Sequence, residues 1–302
     1  MLSRIAIAVV LLPIGLAWPL PAFAVDDDIF VGILESLSPG RAQELRRSYG
    51  STAVADVRVA FVKRAGHWQA FPSDFGDLAE LKTASRSFPQ RVGWTIAFDG
   101  KPRGRVESEL PEQWLAHRDV GVELIISAGK LPRFGPPAAE EPFDGHGPVY
   151  RPLVLVSQPY AGDPAQWKPT KLDNGYLERA LPDFRLKVST SDASLTFKDR
   201  DVRAVKAYRS NAGEVLFALA IRGIKPPADE VPTSAWTPHW FVADGADPIR
   251  FLGSGLTLID AGDYDNDGRS ETIFLKADYD FTGYVLFFDG FRQSAEFGWH
   301  YH

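Results

Sequence analysis

The sequence predicts a mainly β protein with an α+β N-terminal half, built from antiparallel sheets and ending in a blade-like four-stranded meander. Three observations carry this. From Ala53 the apolar residues recur at every second position, the period of a half-buried strand. Later apolar runs are short and bounded by turn residues, in a chain with 26 glycines and 23 prolines. The last fifty residues alternate strand-like runs with short loops, which suits antiparallel neighbours.

The elements follow in order. Residues 26–50 read as helical, because Ser38-Pro39 can cap and start a helix that closes on basic residues and Gly50. In "VADVRVAFVK", Val57, Val59 and Phe61 share one face of a strand, with Asp56 and Arg58 on the other. Residues 77–86 read as a short helix. "VGWTIAFDGKPRGRVES" reads as a hairpin with Trp94, Ile96 and Phe98 on one face and Asp99-Gly100 opening its turn. Residues 111–118 suggest one more helical turn. Residues 131–152 carry six prolines and three glycines and mark a linker or long loop. The reading therefore divides the chain into an α+β region, 25–150, and an antiparallel β region, 151–302.

In the second region "RPLVLVSQ", "DFRLKVS", "SLTF", "DVRAVKAY" and "GEVLFALAIRG" read as strands. Asn211-Ala212-Gly213 closes a hairpin, and residues 225–238 form a proline-bearing loop. The meander comprises 256–259, 272–276, 284–288 and 291–301, with Asp289-Gly290 as its last turn.

Composition narrows the function classes. At 45% hydrophobic and 24% charged the chain is globular, and its formal net charge of −6 gives no general attraction for nucleic acid or anionic lipid. The absence of cysteine excludes disulfides, thiolate catalysis and cysteine zinc sites. Residues 1–24 read as a secretory signal. Arg4 precedes the apolar run Ile5–Leu16, and Ala22-Phe23-Ala24 offers a cleavage site. That run is shorter than the ~20 apolar residues of a membrane-spanning helix. A periplasmic or secreted protein starting at Val25 is expected.

The most conspicuous motif is "AGDYDNDGRSETIFL", 261–275. Numbered from Asp263, it places Asp265 at position three, Asp267 at five, Gly268 at six, Arg269 at seven and Glu271 at nine. Alternate residues of a tight loop can turn carboxylates inward, and calcium wants six to eight oxygens. Glycine at six permits the bend; the Arg269 carbonyl and Glu271 can complete the shell. An EF-hand loop needs glutamate at position twelve, where this chain has Phe274. Strand–loop–strand context and the D-x-D-x-D-G-x-x-E pattern resemble the calcium loops of FG-GAP (VCBS-like) repeats of integrin-type propellers. That resemblance implies structural calcium held by Asp263, Asp265, Asp267, Arg269 and Glu271. Glutamate replaces the usual aspartate at position nine, and only one copy is present.

Other groupings are weaker. Ser254 in "LGSGL" lacks the spacing of a nucleophile elbow. His300 and His302 share a face of the last strand, opposite Phe297, Trp299 and Tyr301. The tryptophans suit either a core or a sugar-stacking surface. P-loop, dinucleotide and HExxH motifs are missing. The reading is a non-enzymatic, calcium-stabilised binding module, with an envelope protein or glycan as partner. The alternative is a secreted hydrolase whose site assembles only in three dimensions.

Overall fold

The computed structural model describes residues 28–37, 39–50, 55–73, 75, 78–111, 120–128, 151–223, 234–245, 247–278 and 281–300. The predicted signal and all but Pro111 of the helical turn expected at 111–118 lie outside these residues. So do most of the proline-rich stretch 131–152 and residues 225–233 of the second loop.

Seven strands form the first sheet: β1 (Ile29–Ser36), β2 (Ala55–Arg64), β3 (His67–Ala70), β4 (Arg91–Phe98), β5 (Lys101–Glu109), β6 (Val122–Ala128) and β7 (Leu153–Val156). Their order is β1-β7-β4-β5-β6-β2-β3, and β1 also pairs with β2. Six strands therefore close into an antiparallel ring, with β3 as a flap on β2. Closure removes the exposed edges of those six. Because β7 hydrogen-bonds to β1 and β4, the ring draws strands from both sides of the proline-rich stretch.

Cross-strand partners share a face, so the register identifies the barrel interior. Leu155 pairs with Gly32 and Ile96, Leu34 with Val57 and Leu153, and Trp94 with Val106. A Cβ on Gly32 would lie 3.1 Å from Val57 and 3.2 Å from the Trp94 ring, so glycine leaves room for the indole. The indole Nε1 donates to Ser108 Oγ at 2.7 Å, and Ser108 donates on to the buried Glu123.

Burial pushes the Glu123 carboxyl up from 4.5 to about 7, with the Ser108 bond pulling the other way. In the unfolded chain the same group ionises first, so this residue withdraws stability as pH rises from about 4.5 to 7. Glu123→Gln should flatten that fall by up to ~1.4 kcal/mol per pH unit. Urea unfolding at pH 5, 6 and 7 checks this, and parallel curves for the two proteins would contradict it.

The region expected to be helical at 26–36 is instead β1. Its apolar residues serve two faces, one turned into the barrel and one against a neighbouring sheet, so all six residues from Val31 to Ser36 are buried. The helix begins only at Pro39, as α1 (Pro39–Tyr49); α2 (Leu78–Ser85) falls where expected. Asp99 and Gly100, with φ of 51° and 64°, form the two-residue turn between β4 and β5.

Beyond the barrel come β8 (Lys168–Pro169), α3 (Asn174–Ser191), β9 (Val202–Arg209), β10 (Val215–Ile221), β11 (His239–Ala243) and β12 (Arg250–Ser254). These strands make a five-stranded sheet of order β12-β11-β10-β9-β8. "DFRLKVS" is part of α3, not a strand. Asp173 caps the helix by accepting from Gly175 N at 2.8 Å, and Ala180, Phe184 and Val188 are buried at four-residue spacing. Leu186 of the same segment lies off that stripe and is 60% exposed. "SLTF" is irregular chain; its Leu195 and Phe197 pack against the α3 core without strand pairing.

The C-terminal meander is as predicted, its first three strands longer and its last shorter than expected: β13 (Leu256–Gly262), β14 (Glu271–Asp278), β15 (Phe281–Phe288) and β16 (Gln293–His300), paired in sequence order. It is the middle layer of the molecule. Ile273, Tyr284 and Leu286 face the barrel core. Phe274, Val285 and Phe287 face the other way, onto Leu216, Trp240 and Val242 of the five-stranded sheet. The far side of that sheet, with Phe217 and Phe241, receives α3. Both faces of the central strands β14 and β15 are thus largely covered, while Ser294 and Glu296 of β16 stay exposed.

Candidate metal centre

Residues 263–270 join β13 to β14 at one end of the middle layer. The polypeptide turns there through Asn266 at φ 59° and Gly268 at φ 86°, the bend expected of the glycine. Asp263 is buried, and its two oxygens accept from Asp267 N at 3.0 Å and Gly268 N at 2.9 Å. Asp265 Oδ1 accepts from Asp267 N at 3.0 Å, and Asp267 Oδ1 from Arg269 N at 2.8 Å. The loop's own amides thereby orient three carboxylates. One oxygen from each of Asp263, Asp265 and Asp267 lies within 4.8 Å of the others, a grouping that could hold a metal ion.

Glu271 stands outside that tight group but is buried, its Oε2 accepting from Tyr264 N at 2.8 Å. Burial, then the charge of Asp265, pushes its carboxyl from 4.5 up to about 9, with Asp267 and Asp263 adding to the effect. Burial also raises Asp263. The donor set is all hard oxygen, and its buried members resist ionising without a positive charge nearby. Both features fit a hard cation. The Arg269 side chain is two-thirds exposed and pairs with Asp289 at 3.0 Å, so it points away from the carboxylates.

Contacts remote in sequence complete the site. Lys63 of β2 makes an ion pair with Asp265, and Trp68 Nε1 of β3 donates to the same oxygen at 3.1 Å. Asp163 accepts from Ser270 Oγ and from the amides of Ala165 at 3.0 Å and Trp167 at 2.9 Å. Gln158 Nε2 donates to Tyr264 O at 3.0 Å, and Asn266 Nδ2 to Pro159 O at 3.1 Å. The loop is therefore tied both to the barrel and to the segment after β7. These partners lie 105–202 positions from the loop residues they touch, and the sequence reading found none of them. Deeper still, Asp260 accepts from Gly100 N at 3.2 Å, and burial raises its carboxyl to about 7.

The other sequence candidates are scattered. Ser254 is the cross-strand neighbour of His239. That imidazole is buried, however, and its Nδ1 lies 3.0 Å from the Thr237 carbonyl, where an orienting carboxylate would sit in a triad. His300 ends β16 with its ring 5.2 Å from Phe281; His302 and His146 lie outside the described residues. Trp68, Trp94, Trp240 and Trp299 are core residues, whereas Trp167 and Trp236 are half-buried. Among the described residues no helix is long and apolar enough to cross a membrane. No protein-family model, curated protein or solved structure matches the chain.

Proposed function

We propose that this chain is an exported protein whose 263–271 loop binds calcium of the FG-GAP structural type and whose role is non-enzymatic binding in the cell envelope or secreted fraction. The observation that carries the calcium reading is the convergence of Asp263, Asp265 and Asp267 beside a buried Glu271. Asp263, Asp265, Asp267 and Glu271 would supply side-chain oxygens and Arg269 its carbonyl. Lys63 brings one positive charge to four carboxylates, which leaves room for a divalent ion. Binding of the ion would join the middle sheet, the barrel flap and the 157–167 segment, a stabilising role.

Calcium at tenfold excess over its dissociation constant should add about 1.4 kcal/mol, which corresponds to a melting shift of a few degrees. Scanning fluorimetry with calcium and with chelator checks this. Asp265→Ala should remove the response, and identical curves for the wild type in both conditions would refute the reading. Export predicts a mature N-terminus at Val25, which sequencing of the exported protein tests.

A further inference from the structure

A cleft of about 610 Å³ lies where the acidic loop meets the five-stranded sheet. Gly268, Arg269 and Ser270 of the loop form one wall, with Asp289 and Arg292 beside them. Its lining also includes Glu214, Asp244 and Asp247 from the five-stranded sheet and its turns, together with Trp167. We propose that this cleft binds a neutral saccharide, with Trp167 as its stacking platform.

Charge decides against other ligand classes. The cleft carries four carboxylates and three guanidinium groups, so neither an anion nor a polycation meets a dominant opposite field. The guanidinium groups are also already engaged. Arg250 donates to Gly290 O at 2.6 Å and Phe291 O at 2.8 Å, while Arg269 and Arg292 both approach Asp289. The carboxylates that line the cleft form no tight group, because the one such grouping among the described residues is the loop's own. What remains is a size suited to a small ligand, an aromatic ring, and many acceptors with a few fixed donors. A sugar offers the complement: an apolar C–H face for the ring and hydroxyl pairs for the carboxylates and Asn211.

The platform is built rather than incidental. Phe291 meets the Trp167 ring edge-on at 5.9 Å. The Trp167 amide is held by Asp163, which also accepts from Ser270 of the acidic loop. Asn211 N and Nδ2 donate to Ala165 O at 2.8 Å and Pro164 O at 2.9 Å, fixing the same segment to the β9–β10 turn. One path of hydrogen bonds thus runs from Ser270 of the loop through Asp163 to the backbone amide of Trp167, which sets where the side chain starts. Saccharide affinity should therefore fall when calcium is removed, a dependence that rests on the calcium reading above; the saccharide site itself does not.

The test is a tryptophan-fluorescence titration of the full exported chain with maltotriose, cellotriose, chitotriose and mannotriose, and with inorganic phosphate as the anionic control. At least one trisaccharide should bind saturably and phosphate should not. Trp167→Ala should weaken binding at least about tenfold, equivalent to ~1.4 kcal/mol. Because its fluorescence differs, it is read by calorimetry. The exposed Asp247→Asn, which leaves the core untouched, should weaken binding severalfold. Failure of all four sugars to bind would overturn the proposal. So would tighter binding of phosphate, or unchanged affinity in both variants. A saccharide response that survives chelator unchanged, while calcium still shifts the melting temperature, would overturn only the coupling. An absent melting shift with intact sugar binding would overturn only the calcium reading.

Discussion

Glu35→Ala should destabilise the protein by about 3–5 kcal/mol, because it breaks a buried ion pair between two layers. Glu35 on the outer face of β1 takes two bonds from the Arg58 guanidinium, at 2.9 and 3.1 Å, and a third from the Tyr284 hydroxyl of the meander. Arg58 also donates to Val120 O at 3.2 Å and lies 4.1 Å over the Trp299 ring. Burial works against the guanidinium charge, yet the charge and hydrogen bonds of Glu35 hold its pKa above the ordinary arginine value. Removing the carboxylate takes away the largest counter-charge of that buried cation, leaving the weaker influence of Asp56, and deprives the tyrosine of this acceptor. Glu35→Gln keeps the shape and one set of acceptor positions and should cost less. Chemical denaturation of both variants checks the ranking; a Glu35→Ala loss under about 1 kcal/mol would show that this contact does not hold barrel to meander.

The second large effect is a pH dependence that calcium should erase. In the cation-free protein Glu271 keeps its proton to about pH 9, whereas in the unfolded chain it ionises near 4.5. The folded state then binds more protons across that window, so stability falls with rising pH by up to ~1.4 kcal/mol per unit. Asp260 and Glu123, both raised to about 7, contribute a similar fall that ends near neutrality. The decline above pH 7 therefore reports chiefly on the loop. A bound cation stabilises the ionised carboxylate and should flatten this part of the curve. Unfolding free energies at pH 7.5 and 8.5, with calcium and with chelator, check it; equal slopes would count against the site.

The legible parts of the molecule are those written in consecutive residues. The meander was readable because turn residues separate its short apolar runs. The acidic loop was readable for the same reason: its oxygens and its glycine occupy nine neighbouring positions. What was not legible depended on distant partners. β1 looked helical because a strand buried on both faces shows no alternation, and only pairing with β2 and β7 settles it. "DFRLKVS" alternates as a strand would, yet Ala180, Phe184 and Val188 form the stripe that packs on Phe217 and Phe241. β6, β11 and β12 are short strands whose apolar runs lie next to proline-bearing stretches; only pairing with β5 and β2 defines the first, and pairing with β10 and with each other the other two. At the site, Lys63, Trp68 and Asp163 carry no local signal at all; the fold alone brings them to the loop.

The central claim is that the 263–271 loop is a calcium site that ties the layers together. Equilibrium dialysis of the mature chain against radioactive calcium tests it most directly. Saturation is expected at one ion per chain, with a dissociation constant of about 10⁻⁴–10⁻³ M, and loss of that binding in Asp265→Ala. No saturable binding across that range, or equal binding by the variant, would contradict it.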